Sequence, residues 1–359
     1  MPLPMMPIFD GHNDTLIHLY LPERGAGRSF FTRSDQGHID LPRAREGGLA
    51  GAFFAIFVPS ATGRKLGPPD PSRVTRTENG YEIKLAEPIG FDYASGFTQE
   101  VLQSLFRLEE ESAGQLKVVR TTQELLDCLE RNILAAVVHF EGAETIDPQL
   151  HNLEAFYGLG LRSLGITWSR ANAFGWGVPF RFPSSPDIGP GLTPAGKELV
   201  RACNELGIVL DLAHLNEQGF WDVAKLSVAP LVVSHAGAHA IAPKSRNLTD
   251  DQLRAIADSN GVVGVIFAMY DLCSDGRLVG DVPLDAVVRH MAYIAERVGV
   301  EHVAFGSDLD GTTISPEIGD VTGLPKVVEA LRQAGFDDQA LRKVTHENWL
   351  RVIGDSWKG

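Results

Sequence analysis

The sequence predicts an α/β fold, a (β/α)8 barrel of the TIM type. Short apolar or β-branched runs recur along the 359 residues, and most are followed by a polar cluster and then by a segment with helical periodicity. Strands that alternate with helices imply parallel pairing, and about eight such units favour a closed barrel. An open doubly wound sheet would normally carry a Gly-rich turn after its first strand, but here that turn reads DGHND from Asp10.

Eight runs have the length and composition of buried strands. In chain order they are IFDGHND from Ile8, GAFFAIFVPS from Gly51, ILAAVVHFEGAE from Ile133, LRSLGITWSRAN from Leu161, GIVLDLAHLN from Gly207, APLVVSHAG from Ala229, GVVGVIFAMYD from Gly261 and EHVAFGSDLDG from Glu301. Helical periodicity predicts the connecting helices, which begin at Phe97, Thr121, Leu192, Leu248, Leu284 and Asp337. Several of these segments start with a capping residue and end in Gly.

Two long stretches rich in Pro and Gly interrupt this alternation, from Pro59 to about Gly96 and from about Phe174 to Pro190. Both follow strands, so in a barrel they would lie on the catalytic rim and could form a lid or a pocket wall. They could equally be insertions or an oligomer contact. Because no linker or fixed repeat is evident, we predict that residues 1–359 form one distorted barrel domain with long rim loops.

The formal net charge of −14 argues against nucleic-acid and anionic-membrane partners, which need a basic surface. The N-terminal residues lack the basic start of a signal peptide, and no apolar stretch is long enough to cross a bilayer. Cys128, Cys203 and Cys273 are widely spaced and form no CxxC pattern, so neither a disulfide framework nor a cysteine zinc site is expected. We therefore expect a cytoplasmic location.

His12 and Asp14 are two residues apart at the end of the first predicted strand, so their side chains should point to the same face. That arrangement suits two ligands of one metal ion. An HxD pair alone is weak, since a lone histidine at a strand end is more often a hydrogen-bonded structural residue.

Later strand ends carry the same chemical types, namely Glu141, His214, His235 and Asp308. In a barrel all of them would open on the rim where the catalytic residues of this fold collect. Three imidazoles and up to three carboxylates are too many for one ion, but they suit two divalent ions about 3.5–4 Å apart that share a bridging carboxylate. Zinc, manganese and cobalt all accept such ligands.

Other polar residues near these strand ends have simpler interpretations. His139 precedes Glu141 by two residues, and we interpret it as a packing or supporting residue. Asp310 alternates with Asp308, and we interpret it as a carboxylate that caps a helix or fixes a loop. The remaining histidines are expected on the surface or in supporting positions.

These residues also match a known pattern. The chain resembles the renal, or membrane, dipeptidase family of the amidohydrolase superfamily over nearly its whole length. The matching stretches are DGHNDTL from Asp10, FEGAETID from Phe140, LTPAGKELVRACNELGIVLDLAHLN from Leu192, SHAGAHAIAPKSRNLTDDQL from Ser234, HVAFGSDLDG from His302 and ENWLRV from Glu347.

The resemblance implies a distorted barrel with two zinc ions that hydrolyses dipeptides, including those with a C-terminal D-residue, and a homodimer. It implies the following ligands: His12 and Asp14 for the first metal, His214 and His235 for the second, and Glu141 as the bridge. Arg246 would bind the substrate's C-terminal carboxylate, because its planar fork suits bidentate capture. Asp308 would be the general acid and base beside a hydroxide that bridges the ions.

Two positions depart from that pattern. Trp168 stands where the mammalian-type pattern has a histidine that contacts the scissile carbonyl, so we expect Trp168 to contact substrate and to affect substrate choice. Ala268 stands in the place of a tyrosine, with Tyr270 close by.

Two other functions remain open from the sequence. One is a different metal hydrolase on the same scaffold, such as a lactonase, a cyclic-amide hydrolase or a deaminase. A carbamylated lysine bridge, found in some of those relatives, would need a Lys where Glu141 stands. The other is a non-catalytic metal-binding protein derived from a dipeptidase, which Trp168 would allow.

Overall fold

Eight parallel strands form a nearly closed barrel in the computed structural model, which describes residues 6–25, 27–60, 71–278 and 282–358. The barrel strands follow one another in chain order around the sheet, and one short strand pairs outside this path. Counting those outside the barrel, the strands of the described residues are β1 (Ile8–Asn13), β2 (Leu49–Phe57), β3 (Val74–Thr77), β4 (Gly80–Ile83), β5 (Leu116–Val118), β6 (Leu134–Glu141), β7 (Leu161–Gly165), β8 (Phe180–Phe182), β9 (Val209–Asp211), β10 (Val232–Ala236), β11 (Val262–Val265) and β12 (Val303–Phe305).

Helices surround this barrel. They are α1 (Thr15–Tyr20), α2 (Pro22–Gly25), α3 (Leu41–Glu46), α4 (Phe91–Glu111), α5 (Thr122–Glu130), α6 (Leu153–Leu159), α7 (Pro194–Leu206), α8 (Glu217–Leu226), α9 (Asp250–Asp258), α10 (Met269–Leu272), α11 (Asp285–Val298), α12 (Leu324–Gln333), α13 (Asp338–Arg342) and α14 (Asn348–Ser356). The barrel order is β1-β2-β6-β7-β9-β10-β11-β12, and β5 pairs with β6. The predicted (β/α)8 fold is confirmed.

The helix ends follow the expected capping rules. The Thr121 side chain accepts a hydrogen bond from the backbone N–H of Glu124 at the start of α5. Thr249 and Gln252 form a capping box at the start of α9. At the end of α7, Gly207 has a φ of 79°, a conformation that glycine adopts without strain.

The barrel closes between β12 and β1 through side chains as well as backbone. Asp10 accepts two hydrogen bonds from Ser307, one from its backbone N–H (2.7 Å) and one from its hydroxyl (2.6 Å). The backbone N–H of Asp308 donates to the carbonyl of His12 (3.0 Å), and that of Asp14 donates to Leu309 (2.9 Å). These contacts place the DGHND motif of β1 beside the loop that carries Asp308.

An apolar cluster fills the barrel interior below the site. Phe9 and Phe53 pack against Trp349 of α14, whose indole N–H donates to the carbonyl of Phe305. A side chain at Gly11 would lie 2.4 Å from Trp349 and 2.6 Å from the carbonyl of Ser234, so only glycine fits here. This close packing fixes the strand that ends in His12.

The two long rim stretches contribute a second, three-stranded antiparallel sheet of order β3-β4-β8. Tyr81, Ile83 and Phe182 form its small apolar cluster. Ser245 binds it to the barrel, because its hydroxyl accepts a hydrogen bond from Arg181 N–H at 3.1 Å. Residues 61–70, in the first of these stretches, lie outside the described residues.

Within the described part of the chain, no helix is long and apolar enough to cross a membrane. Cys128, Cys203 and Cys273 are all buried and free.

His290 supports the loop that follows β10. Its Nδ1 accepts a hydrogen bond from Ala238 N–H at 2.9 Å, so the ring must be neutral at that nitrogen. Burial lowers the pKa of His290 to about 4. Between about pH 6.5 and 4 the unfolded chain therefore binds a proton that the folded chain does not, and stability falls as the pH falls through this range.

Replacing His290 with Gln is expected to flatten this part of the stability curve by at most about 3 kcal/mol, since each pKa unit corresponds to about 1.4 kcal/mol. Urea unfolding of both proteins at pH 7 and pH 4.5 measures the difference. An identical loss of stability in the two proteins would contradict this role of His290.

Candidate metal centre and active site

Six buried polar side chains converge at the C-terminal ends of the barrel strands. Each of these side chains is at most 9% exposed. They are His12 in β1, Asp14 directly after β1, Glu141 at the end of β6, His214 after β9, His235 in β10 and Asp308 after β12. All six residues predicted from the strand ends therefore lie together.

Glu141 lies at the centre of this group, and its two oxygens face different histidines. Oε1 is 3.0 Å from His214 Nε2 and 3.7 Å from His235 Nε2. Oε2 is 3.8 Å from His12 Nε2. A carboxylate whose two oxygens face separate imidazoles has the geometry that a bridging ligand needs.

His12 lies close to all three carboxylates of the group. Its Nε2 is 3.9 Å from Asp14 Oδ2 and 4.0 Å from Asp308 Oδ1. Among the described residues, compact sets of possible ligands are His12–Asp14–Asp308, His12–Glu141–His235 and His12–His139–Asp211, each with its ligand atoms within 4.8 Å of one another. His12 thus lies near ligands of both expected metals, since its ring centroid is also 4.0 Å from that of His235.

Several polar atoms in this group have no hydrogen-bond partner among the described residues. Both ring nitrogens of His12 and Oδ1 of Asp14 are buried and unpartnered. Buried polar atoms are nearly always satisfied, since leaving one without a partner costs about 1–3 kcal/mol. Nitrogen and carboxylate donors arranged in this way fit divalent cations.

Serine side chains orient the two later histidines. Ser234 donates its hydroxyl proton to Asp211 Oδ2 (2.5 Å), so it must accept from Nδ1–H of His235 (2.8 Å). The Nε2 lone pair of His235 is then free, and it faces His214 Nε2 at 3.1 Å. Ser169 contacts Nδ1 of His214 at 2.9 Å. Such partners fix the ring orientation that a metal ligand requires.

Charge in the group is strongly unbalanced. Burial, reinforced by the neighbouring Asp14, raises the pKa of Asp308 to about 8 and that of Glu141 well above its usual range. Burial alone would lower the pKa of His12, but Glu141, Asp14 and Asp308 outweigh it and raise this pKa to about 10. The carboxylates therefore attract positive charge, which protons or metal cations can supply.

His214 and His235 have the opposite tendency. Burial lowers the pKa of both rings well below the usual range, and the positive charges of Arg246 and His12 lower it further. Both rings are therefore neutral at pH 7, which is the form that binds a metal.

His139 lies deeper in the barrel than the other histidines. Its ring stacks on Phe53, with centroids 5.9 Å apart, and its Nδ1 contacts Ser163 at 2.9 Å. Its Nε2 is 3.5 Å from Asp211, and burial lowers its pKa to about 4. These contacts support the interpretation of His139 as a packing and supporting residue.

The loop after β12 holds Asp308 in an uncommon backbone conformation, with a φ of 59°. A side chain at Gly311 would lie 2.2 Å from both Asp14 Oδ2 and Asp308 Oδ1, so this loop needs glycine to bring the carboxylates together. Asp310 accepts hydrogen bonds from Thr15 (2.8 Å) and Arg28 (3.4 Å). It joins two loops, as its interpretation from the sequence proposed.

Aromatic rings lie beside the candidate metal ligands at the rim of the barrel. Trp168 lies 4.8 Å from Phe57, 6.1 Å from Phe180 and 5.8 Å from His214, measured between ring centroids. Arg246 is 6% exposed and contacts the end of β10. One of its Nη atoms donates to the carbonyl of His235 at 3.2 Å, whereas its buried Nε has no partner among the described residues.

Sequence reasoning missed the buried aspartates that support the site. Asp10 accepts both the backbone N–H and the hydroxyl of Ser307, which follows β12, and Asp211 accepts the same two groups of Ser234 in β10. A carboxylate within an apolar strand run, together with a serine directly before Asp308 or His235, was the available signal.

The family comparison covers almost the entire chain. Residues 3–357 match the family model described as membrane dipeptidase, peptidase family M19. The chain belongs to the membrane dipeptidase family. The resemblance inferred from the sequence motifs is therefore confirmed.

Solved structures of this dipeptidase family have the same fold. A metallopeptidase from Rhodobacter sphaeroides, liganded with a phosphinate mimic of the dipeptide L-Ala-D-Ala, is 44% identical with a TM-score of 0.91, over 98% of this chain and 99% of that one. Dipeptidase AC, a metallopeptidase of family M19, is 45% identical with a TM-score of 0.90, over 99% of both chains.

A Klebsiella pneumoniae protein from the pqqA 5′ region is also similar to this dipeptidase-family chain. It is 47% identical over 257 residues, which are 72% of this chain and 95% of that protein. Family membership, the barrel and the clustered His, Asp and Glu side chains together support a metallopeptidase of the dipeptidase class.

Proposed function

We propose that the chain hydrolyses dipeptides, including L-Xaa-D-Xaa dipeptides, with two divalent metal ions, most favourably zinc. The observation that carries this proposal is the position of Glu141, whose two oxygens face His214 and His235 on one side and His12 on the other. We assign His12 and Asp14 to the first ion, His214 and His235 to the second, and Glu141 to both. Two ions held there would lower the pKa of water and polarise the scissile carbonyl.

Asp308 is the proposed general acid and base. Its carboxylate lies at the same rim, 4.0 Å from His12 Nε2, on a loop fixed by backbone hydrogen bonds to β1. A carboxylate in this position can take the proton from the attacking water and deliver it to the leaving amine.

Arg246 is the proposed anchor of the substrate's free carboxylate. Its single hydrogen bond to the carbonyl of His235 holds the guanidinium beside the metal ligands, and its buried Nε is unpartnered among the described residues. A planar fork with unused donors suits a carboxylate, with two parallel hydrogen bonds.

Changing Arg246 to Lys should raise KM for dipeptides by roughly 10- to 100-fold, because a hydrogen bond to a charged group contributes about 1.5–3 kcal/mol. Metal content should not change. Steady-state kinetics on a dipeptide and on its C-terminal amide measure the effect, since the wild-type preference for the acid should shrink in the variant. An unaltered preference would exclude Arg246 as the carboxylate anchor.

Trp168 is the proposed wall against a substrate side chain. Its ring packs between Phe57 and Phe180 beside His214, so it is positioned to contact apolar groups close to the reacting carbonyl. The L-Xaa-D-Xaa part of the proposal is supported by the Rhodobacter sphaeroides relative, which was solved with a phosphinate mimic of L-Ala-D-Ala.

The direct test uses the zinc-loaded full-length chain on matched panels of L,L-dipeptides, L,D-dipeptides, lactones and cyclic amides. The proposal predicts dipeptide turnover that chelation abolishes and zinc restores. Turnover of lactones or cyclic amides alone would favour another metal hydrolase of the same scaffold. Zinc binding without turnover of any panel would favour a non-catalytic metal-binding protein.

Other expectations from the sequence stay predictions. These are the single domain over residues 1–359, the homodimer, the cytoplasmic location and the absence of a nucleic-acid partner.

A further inference from the structure

Tyr270 lies on α10 and is bonded to the loop that carries Asp308. The Thr312 hydroxyl donates a hydrogen bond to the Tyr270 hydroxyl oxygen at 2.9 Å. One residue earlier, Met269 N–H donates to the carbonyl of Thr313 at 3.1 Å. These two bonds fix the phenol relative to the loop after β12.

The same hydrogen bond leaves the phenolic proton available. Both groups are hydroxyls, and with Thr312 as the donor of this bond the phenol is its acceptor and keeps its own proton unused. Among the described residues, the Tyr270 hydroxyl has no hydrogen-bond partner besides Thr312. A half-buried hydroxyl with a fixed oxygen and an unused proton is a ready donor to a ligand.

The surroundings of Tyr270 place it beside the reacting groups. Thr312 follows Gly311, the residue at which a side chain would lie 2.2 Å from the carboxylates of both Asp14 and Asp308. On the other side, the Phe180 ring lies 6.5 Å from Tyr270 and 6.2 Å from His214. The phenol therefore lies between the Asp308 loop and the aromatic wall that contacts a metal ligand.

The phenol also stays protonated. Burial and the negative charges of Asp271 and Asp308 raise the pKa of Tyr270 above its usual value, so the phenol is neutral at pH 7. A neutral donor does not compete with metal cations for the nearby carboxylates.

We propose that the Tyr270 hydroxyl donates a hydrogen bond to the oxyanion that forms on the scissile carbonyl when water attacks it. This inference rests on the proposed hydrolytic function and adds a catalytic residue to it. A donor that is already oriented when charge develops stabilises the transition state more than the ground state. Thr312 is the positioning residue, because its hydrogen bond holds the phenolic oxygen against the loop that carries Asp308.

Tyr270→Phe removes the donor and keeps the ring against Phe180. We expect kcat to fall roughly 100- to 1,000-fold, the usual effect of losing one oxyanion donor, with KM and zinc content nearly unchanged. Thr312→Val should give a smaller fall, because the phenol remains but is no longer oriented. Tyr293→Phe is the matched control, since its hydroxyl bonds to Asp250 away from the site, and it should behave as wild type.

A second readout does not depend on turnover. Calorimetry on the zinc-loaded proteins measures the affinity for a phosphinic dipeptide analogue, whose tetrahedral phosphorus mimics the oxyanion. Tyr270→Phe should weaken this binding by about the same factor as it lowers kcat/KM, as transition-state complementarity requires. Melting temperatures of the variants show whether the fold is intact.

The outcomes separate the two proposals. If wild type cleaves lactones but no dipeptides, the dipeptidase proposal fails, and the Tyr270→Phe ratio is measured on the lactone, whose hydrolysis also forms an oxyanion. Folded Tyr270→Phe protein with kcat and analogue affinity within about threefold of wild type would overturn the role of Tyr270, since an oxyanion donor contributes much more than that. A wild-type chain that neither turns over substrate nor binds the analogue would overturn both proposals.

Discussion

Asp308→Asn is expected to keep its divalent metal ions and to lose most of its turnover. Asn has nearly the same shape as Asp but cannot accept and return a proton, so general acid and base catalysis should be lost. That step contributes typically about 10²- to 10⁴-fold, and kcat should fall within this range. Steady-state kinetics, together with elemental analysis of metal per chain, measures both parts of the prediction.

The metal analysis matters because Asp308 also lies in a compact set with His12 and Asp14. If Asp308 were mainly a ligand, Asp308→Asn would lose metal as well as activity, and added zinc would partly restore turnover. Asp275→Asn is a matched control, because Asp275 pairs with Arg277 on the exposed surface. Full activity in folded Asp308→Asn would remove Asp308 from the mechanism.

Glu141→Gln is expected to lose at least one metal ion per chain and to lower turnover by more than about 10³-fold, because the two proposed ions would supply both the nucleophile and carbonyl polarisation. The amide is neutral and offers one oxygen, whereas Glu141 presents two oxygens to histidines on opposite sides. Zinc titration and kinetics on the same preparations test this prediction.

The melting temperature gives a second test of Glu141, because the substitution should lower activity without lowering the stability of the metal-free protein. Without metal, burial and neighbouring carboxylates raise its pKa, so the buried carboxylate is costly and Gln should be tolerated well. Metal-free Glu141→Gln should therefore melt at or above the wild-type temperature, whereas the upward shift caused by zinc should shrink. An undiminished zinc shift would exclude the bridging role. Glu124→Gln, at a partly exposed pair with Lys117, is the control.

The barrel was predictable because its strands are continuous apolar runs, which is what burial on both faces of a parallel sheet requires. The sheet formed by β3, β4 and β8 was not. Its strands have three or four residues, and β4 pairs with β8, about a hundred residues away in the sequence. Such pairings depend on the tertiary structure and leave no local pattern.

Helix boundaries show a similar limit. The sequence predicts a helix from Phe97, because Gly96 is typical of the end of a loop. In the structure this helix begins at Phe91 and runs through Gly96. Glycine disfavours a helix by only about 1 kcal/mol, and packing of the neighbouring Ala94 and Phe97 against the core outweighs that cost. The helices α1, α2, α3, α6, α8, α10 and α12 were also missed.

The candidate ligands were predictable because the C-terminal ends of parallel strands meet at one rim. Their supporting partners were not, since the contacts of Asp10 with Ser307 and of Asp211 with Ser234 depend on which strands are neighbours. The proximity of His12 to His235 was not predictable for the same reason, because it depends on the three-dimensional arrangement of the strands. Sequence spacing placed them on different strands but could not give the 4.0 Å between their rings.

A zinc titration of the metal-free chain, followed by dipeptide hydrolysis, distinguishes a site for two ions from a site for one. If Glu141 bridges two ions between His12 with Asp14 and His214 with His235, activity should reach its maximum at two zinc ions per chain. Full dipeptidase activity at one ion per chain, or no dipeptide hydrolysis at two, would contradict the account.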